Sequence, residues 1–270
     1  MISGEVLAAQ AHSIQEVQSN FAGAAEYARL YEGSSPCARF FNERLHIVMK
    51  VIRNVARGKV LDVGCGPGIL LSRLASTDLE LSGADCCPEM IAEAKKRTAR
   101  TGVKLVLGRA EELPFEDQTF DVVLALGVLE YLPDVIKGLG EIARVAKPKA
   151  VIVASMLNAD SVYRSWERLV YSPSNDSWLQ CRLGKKEKSL LHLHGRKSLS
   201  NMMSACHLRP VNVKYYDVNV CVPPLDSEYP ENTRMLNQWV KAHSGRWSSS
   251  VVHTGFILTA LKRANLAKAA

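Results

Sequence analysis

Residues 60–68 read Val-Leu-Asp-Val-Gly-Cys-Gly-Pro-Gly, an apolar run that ends in a glycine-rich turn. Such a run predicts a buried β-strand, and the helical spacing of apolar residues from Ile69 predicts a helix after the turn. Because glycine has no side chain, Gly64, Gly66 and Gly68 let the backbone approach a ligand closely. The first N–H groups of the helix would point at the same ligand. This stretch therefore predicts a small-molecule site between a strand and a helix.

A dinucleotide-binding turn is the main alternative, and the glycine spacing counts against it. The dinucleotide fingerprint is G-x-G-x-x-G. Gly64 and Gly66 fit its first two positions, but Ile69 stands in the third and Gly68 comes one residue early. Asp85 stands 21 residues after Gly64, at the end of the next apolar run. Its carboxylate can accept hydrogen bonds from both ribose hydroxyls of a nucleoside, or it can cap the helix that follows.

Around this motif, short apolar runs alternate with stretches of helical periodicity. That alternation predicts βαβ units and a parallel sheet covered on both faces. Strands are predicted at 59–63, 79–84, 103–107, 120–125, 150–156, 211–220 and 251–261, and helices at 8–30, 38–55, 69–76, 88–100, 134–146 and 197–207. Residues 158–196 and 223–249 are polar and irregular. We interpret these two stretches as insertions that lie over the sheet.

The composition narrows the class of protein. No apolar run approaches the roughly 20 residues of a membrane span, and no signal peptide precedes the first helix, so we expect a cytoplasmic protein. The seven cysteines include no C-x-x-C pair, which predicts neither a disulfide framework nor a metal site. The net charge is +7, and the basic residues are densest within 182–197. A solvated loop is the simpler explanation of this group, and an anchor for an anionic substrate is the alternative.

Two further stretches carry a family resemblance. Residues 108–115 read Gly-Arg-Ala-Glu-Glu-Leu-Pro-Phe, and residues 120–132 form an apolar strand with a Leu-Gly-Val-Leu-Glu-Tyr-Leu exit. With the glycine turn, they resemble the class I S-adenosylmethionine-dependent methyltransferases that act on small molecules, quinones and lipids. The resemblance is motif by motif over residues 58–157, and by pattern alone over residues 197–262.

This resemblance implies a fold, a division of the chain and a cofactor. The fold is an α/β, Rossmann-like, doubly wound sheet of seven strands, mostly parallel with an antiparallel last strand. Residues 1–57 would form an N-terminal helical cap that closes as a lid. Residues 58–270 would form the methyltransferase domain, with residues 158–196 and 223–249 covering the substrate. The cofactor would be S-adenosylmethionine, with no metal.

The resemblance also assigns cofactor contacts by position. The glycine turn would pack under the amino-acid part of the cofactor. Asp62 would orient the turn near the methionine ammonium, and Asp85 would hold the ribose. The full set implied is Asp62, Gly64, Cys65, Gly66, Gly68, Asp85, Cys86, Met90, Ala110, Glu111 and Leu126, with Tyr27 and Tyr31 contributed by the lid.

The chain departs from the family pattern at three places. Arg109 stands where relatives carry an aspartate that accepts from the adenine amino group, and arginine cannot accept a hydrogen bond. Either Arg109 stacks on the ring or Glu111 takes over that contact. Tyr131 stands where many relatives have histidine, and Lys149 and Ala150 replace two glycines. A non-catalytic S-adenosylmethionine-binding module is therefore kept as an alternative to an enzyme.

The methyl acceptor is expected to be a small organic molecule, and a hydroxyl of a specialised metabolite is favoured. A lipid, a quinone, or a nitrogen or carbon acceptor is the alternative. A hydroxyl needs a base, for which His192, His194 and Tyr31 are the candidates. Aromatic residues of the two insertions, such as Trp166 and Trp239, predict an apolar acceptor pocket. The expected partners are this substrate, which could be anionic, and a second copy in a homodimer, with no nucleic acid.

Overall fold

Seven strands form a single mixed sheet in the computed structural model, which describes residues 23–33, 36–55, 58–170, 192–220, 229–243 and 249–264. The strands are β1 (Lys59–Val63), β2 (Glu80–Asp85), β3 (Lys104–Leu107), β4 (Phe120–Leu126), β5 (Ala146–Leu157), β6 (Leu208–Val218) and β7 (His253–Lys262). They lie in the order β3-β2-β1-β4-β5-β7-β6. Only β7 runs antiparallel, against both β5 and β6. This topology confirms the predicted doubly wound, mostly parallel sheet.

Helices cover both faces of this sheet. They are α1 (Ala24–Arg29), α2 (Pro36–Val55), α3 (Ile69–Leu74), α4 (Pro88–Arg97), α5 (Val135–Val145), α6 (Val162–Val170), α7 (Arg196–Ala205), α8 (Pro230–His243) and α9 (Ser249–Val252). One short 3-10 turn, Leu129–Tyr131, follows β4. Within the described ranges, no helix combines the length and the apolar character that crossing a bilayer requires.

The inner strands, such as β1 and β4, are buried on both faces because their side chains alternate between two cores. Leu61 of β1 belongs to the core that contains Leu139 of α5 and Leu199 of α7. Val60 belongs to the opposite core, which contains Leu45 of α2. Each fully buried aliphatic side chain of this kind contributes roughly 1.5–3 kcal/mol of transfer free energy.

Helix α2 is an integral part of the second core. Its apolar residues Leu45, Val48 and Ile52 are spaced for one helical face and are buried with the sheet residues. Arg44 lies beside this stripe and is buried with it. The division of the chain into a cap at 1–57 and a separate domain at 58–270 stays a prediction. Of the helix predicted at 8–30, only α1 falls within the described residues.

Two predicted irregular stretches contain regular helices, so that part of the sequence interpretation was wrong. Helix α6 lies within 158–196, and α8 lies within 223–249. Val162 and Trp166 already have helical spacing, and Pro230 at the first position of α8 is a typical helix start. The surrounding polar residues obscured both signals, because the solvent-exposed side of a surface helix reads like loop sequence.

Candidate functional site

A cavity lies at the carboxyl ends of β1, β2, β3 and β4, the edge where parallel α/β sheets bind ligands. Residues following each of these strands line it, and Tyr27, Tyr31, Arg44 and Leu45 close it from the N-terminal helices. The remaining lining residues are Asp62, Gly64, Cys65, Gly66, Pro67, Ile69, Leu70, Asp85, Cys86, Cys87, Met90, Gly108, Arg109, Ala110, Glu111, Leu126, Gly127, Val128, Tyr131, Leu132 and Pro133. We call this the first cavity.

Among the residues predicted to contact the cofactor, only Gly68 lies outside this lining. Gly66 and Gly68 both have positive φ angles, of 51° and 74°. A β-carbon on Gly66 would meet nothing closer than Tyr27, at 3.9 Å, whereas one on Gly68 would lie 3.0 Å from the Ala94 β-carbon. Gly68 therefore allows α3 to pack against α4, and Gly66 leaves open space on the cavity side of the turn.

Asp85 ties the glycine turn to the tip of β2. The Gly66 N–H donates to Asp85 Oδ2 at 2.8 Å, and the Cys87 N–H donates to Asp85 Oδ1 at 2.9 Å. Burial raises the pKa of Asp85, while these backbone donors oppose the rise. Cys87, and not Asp85, occupies the N-cap position of α4. A carboxylate has about four lone-pair positions, so this lining residue can still accept from a ligand.

Asp62 is a nearly inaccessible carboxylate in the same cavity, with 3% of its surface exposed. Burial raises its pKa to about 7. The positive charge of Arg44 opposes this rise, and the neighbouring Asp85 adds to it. A ligand cation beside Asp62 would restore the ionised form, because an opposite charge within a few ångströms stabilises it.

This raised pKa predicts a pH dependence of ligand binding. If Asp62 faces the ammonium group of S-adenosylhomocysteine, as the sequence predicts, binding requires the ionised carboxylate, and the affinity should fall by up to about tenfold per pH unit as the pH drops below about 7. Binding near pH 6 should release a proton. Calorimetry in two buffers with different ionisation enthalpies measures that release, and Asp62→Asn should abolish it. Constant affinity between about pH 5 and pH 8 would contradict the assignment.

The third motif supplies another side of the first cavity. Arg109 Nη2 lies 3.4 Å from Glu111 Oε1, and the Glu111 side chain is buried. Arg109, which stands where relatives carry an aspartate, thus pairs with Glu111, the residue considered as a replacement for that aspartate. Cys86, which follows β2, and Met90 of α4 also line the cavity. Both ways of recognising an adenine, stacking by Arg109 or acceptance by Glu111, stay predictions.

Arg44 was missed by sequence reasoning, although it is the most deeply buried cation of the site, with 4% of its surface exposed. Its Nη2 donates to the Tyr31 hydroxyl at 3.3 Å, and its guanidinium lies 5.1 Å from the centre of the Phe41 ring. A β-carbon on Gly127 would lie 2.5 Å from Arg44 Nη1. The available signal was a charged residue on the apolar face of a predicted helix.

A second, larger cavity of about 930 Å³ adjoins the first. The two share four lining residues, which are Tyr27, Arg44, Gly127 and Tyr131. Charged side chains of both signs surround the second cavity, namely Arg39, Arg44, Arg164, Arg234 and Lys241 opposite Glu43, Glu130, Asp217 and Glu231. Lys241 Nζ of α8 lies 2.6 Å from Glu43 Oε1 of α2, so an ion pair joins two of the elements that surround this cavity.

The aromatic residues predicted from the sequence to form an apolar acceptor pocket do not line this cavity where they are described, although Phe40, Phe41 and Tyr163 do. Trp166, Tyr229 and Trp239 are absent from its lining, and more than half of the surface of Tyr229 and of Trp239 is exposed. Helix α8 turns polar side chains such as Asn237 and Gln238 toward the cavity instead. The other aromatic and proline residues named for this pocket, Tyr171, Trp178, Pro223 and Pro224, lie outside the described residues.

The two histidines predicted to act as a base line neither cavity. His192 is exposed, and its backbone N–H donates to the Glu130 carbonyl at 2.7 Å. His194 lies opposite Asn158 in an isolated bridge, with Nδ1 3.4 Å from Ser198 Oγ. Burial lowers the pKa of His194. Tyr31, the third candidate, lines the first cavity, and the catalytic roles of all three stay predictions.

Comparison with known proteins points to one family. A family model described as a methyltransferase domain matches residues 61–154. Demethylmenaquinone methyltransferase from Staphylococcus aureus is 30% identical over 195 residues, an alignment that covers 65% of this chain and 78% of that relative.

Solved structures agree at the level of the fold. A possible histamine N-methyltransferase from Thermotoga maritima, described as S-adenosylmethionine-dependent, has a TM-score of 0.60 and 15% identity, covering 91% of this chain and 99% of that one. Magnesium protoporphyrin IX methyltransferase from Synechocystis, with S-adenosylhomocysteine bound, has a TM-score of 0.62 and 14% identity, covering 92% and 99%.

Proposed function

Because this chain belongs to the class I S-adenosylmethionine-dependent methyltransferases, we propose that its first cavity binds the cofactor and its second cavity binds a small-molecule acceptor. One observation carries the proposal, namely that the two cavities share a wall at the carboxyl edge of the sheet. Methyl transfer is an in-line displacement, so donor and acceptor must be held close and collinear. Such positioning lowers the barrier by roughly 7–11 kcal/mol.

The first cavity has the donors, acceptors and space that the cofactor requires. Gly66 leaves room beside the turn, Asp62 offers a carboxylate to an ammonium, and Asp85 offers free lone pairs to ribose hydroxyls. When bound, S-adenosylmethionine supplies a methyl group that its sulfonium has activated. Tyr27 and Tyr31 also line this cavity, and aromatic rings beside the sulfonium would attract the cation and exclude water.

The acceptor that best suits the second cavity is a polar molecule with a reactive hydroxyl. Its charged lining can hydrogen-bond several polar groups of a substrate, and its five cationic residues could hold an anionic one. A quinone or lipid, or a carbon acceptor, would find fewer partners among these side chains.

Transfer of a labelled methyl group to defined acceptors tests this proposal. Catechol represents hydroxyl acceptors, histamine represents nitrogen acceptors, and a short-chain demethylmenaquinol represents quinones. We expect S-adenosylhomocysteine to bind to the protein and methylation of catechol to exceed that of the other two. Binding without turnover on any acceptor would favour the non-catalytic module. Failure of S-adenosylhomocysteine to bind at millimolar concentration would overturn the cofactor assignment.

One observation favours the lipid or quinone alternative. Helix α8 exposes Met235, Leu236 and Trp239 while its other side lines the second cavity. An amphipathic helix of this kind can rest on a membrane surface and receive a lipid-soluble acceptor there. Flotation with phosphatidylglycerol vesicles tests it, with Trp239→Ser as the variant expected to lose binding. A protein that stays with the soluble fraction would remove this alternative. Light scattering would test the predicted homodimer in the same preparation.

A further inference from the structure

We propose that Glu130 is the catalytic base, taking the proton from a neutral hydroxyl on the acceptor while Arg44 donates a hydrogen bond to the same oxygen. The inference rests on the proposed function and narrows the substrate class to hydroxyl acceptors. It replaces the histidines considered from the sequence with a carboxylate that the fold places beside the shared wall.

Burial and missing partners single out these two residues. Glu130 and Arg44 are each 4% exposed, and both line the second cavity. Within the described part of the chain, neither Glu130 Oε2 nor Arg44 Nε has a hydrogen-bond partner. Buried polar atoms are almost always paired, since an unpaired one loses its hydration without compensation. An unpaired acceptor and an unpaired donor beside one cavity indicate that a ligand completes them.

The chemistry of the two orphaned atoms identifies the group that fits. A hydroxyl donates one hydrogen bond and accepts others, so it can satisfy Glu130 Oε2 and Arg44 Nε together. A carboxylate only accepts and would be repelled by Glu130. A carbonyl oxygen or a tertiary amine has no hydrogen to donate. The pair therefore selects a neutral group that both donates and accepts, as a hydroxyl does, over these alternatives.

The reaction balances with these groups alone. The acceptor oxygen forms the new O–CH₃ bond as the S–CH₃ bond of the cofactor breaks, and the electron pair of that bond stays on sulfur. The hydroxyl proton passes to Glu130 Oε2, which later releases it to solvent. Arg44 Nε–H lowers the energy of the negative charge that develops on the oxygen during this transfer.

The surroundings of Glu130 suit a base that works near neutral pH. Burial raises its pKa to about 7, and the positive charges of Arg44 and Arg164 oppose the rise. Its other titratable neighbours are Tyr131 beside it and Tyr216 of β6. Asp217 also lines the cavity and accepts a hydrogen bond from the Thr254 hydroxyl. A base with a pKa close to the working pH is the most effective.

Binding of phenol to the protein loaded with S-adenosylhomocysteine tests the proposal without a known substrate. Phenol should bind about tenfold more tightly above pH 8 than below pH 6, because ionised Glu130 accepts a stronger hydrogen bond than its acid form. At about pH 8, affinity should also rise along a series of neutral phenols of increasing acidity. A carboxylate that only neutralises Arg44 would show no such dependence on phenol acidity. S-adenosylhomocysteine is bound in this experiment so that its ammonium keeps Asp62 ionised. Titration of Asp62 then adds no pH dependence of its own to the binding of phenol.

Three variants locate the effect. In Glu130→Gln, the affinity for phenols should no longer depend on pH or on the acidity of the phenol. The affinity for S-adenosylhomocysteine should stay unchanged. The variant should also melt at a higher temperature than the wild type above pH 7, because the cost of burying the ionised carboxylate is gone. Glu116→Gln, which changes an exposed carboxylate that lines neither cavity, should behave like the wild type. Asp217→Asn should keep the change of phenol affinity between pH 6 and pH 8. If this change is lost in Asp217→Asn but kept in Glu130→Gln, then Asp217 is the base.

Two results would overturn the inference while leaving the proposed function intact. One is persistence of both dependences in Glu130→Gln, and the other is no binding of phenol at millimolar concentration to the loaded wild type. Failure of S-adenosylhomocysteine itself to bind would instead remove the proposed function on which the inference rests.

Discussion

Gly66→Asn should lose cofactor binding almost completely, with the affinity for S-adenosylhomocysteine falling more than about 100-fold, or roughly 3 kcal/mol. The reason is the open space on the cavity side of this residue, where a β-carbon would meet nothing closer than Tyr27. Under the proposed function, the cofactor occupies that space, so a side chain there excludes it. Asparagine is chosen because it tolerates a positive φ better than most residues. Calorimetry with S-adenosylhomocysteine measures the loss.

Gly102→Asn is the matched control. Gly102 has a φ of 70°, and a β-carbon added to it would meet no atom within 4 Å. The substitution therefore imposes similar backbone strain, of roughly 1 kcal/mol, outside the first cavity. We expect both variants to melt at similar temperatures and only Gly66→Asn to lose the ligand. A Gly66→Asn protein with wild-type affinity would show that the cofactor does not pass beside this turn.

Asp85→Asn should weaken S-adenosylhomocysteine binding by about 2–4 kcal/mol, the second large effect. Asparagine can accept from one of the two backbone donors, but its amide nitrogen then faces the other. The variant thus loses a charge-assisted contact to the ligand and loosens the link between Gly66 and the tip of β2. Asp78→Asn, on an exposed turn, should have no effect.

A thermodynamic cycle separates the two parts of this loss. Adenosine should bind the wild type more than tenfold tighter than 2′,3′-dideoxyadenosine, and the difference should shrink to about twofold or less in Asp85→Asn. Coupling of this size means that Asp85 contacts the ribose hydroxyls. If the loss from removing the ribose hydroxyls and the loss from Asp85→Asn simply add, Asp85 supports the turn without holding the sugar.

The first cavity was largely predictable because the residues that form it lie in short local motifs. Strand β1, the glycine turn and the start of α3 are consecutive, and Asp85 ends the next strand. Apolar runs and glycine spacing report such local geometry directly. Gly68 shows the limit, since the sequence could not reveal that its open side faces Ala94 and not a ligand.

The second cavity could not be predicted, because tertiary packing brings its residues together from distant parts of the chain. The Glu43–Lys241 ion pair joins residues 198 positions apart. Arg44 and Glu130 carry no motif of their own, and each becomes notable only once burial shows that it lacks a partner. Periodicity could have located α6 and α8, but not which of their faces turns toward the cavity.

Tyr27, Arg44, Gly127 and Tyr131 belong to both cavities. Any ligand that reorders these residues on one side changes the free energy of occupying the other, and that coupling is equal in both directions. A donor that rigidifies the shared residues lowers the entropic cost of ordering them for the acceptor. If both cavities are occupied as proposed, recognition of the two substrates should therefore be cooperative through these four residues.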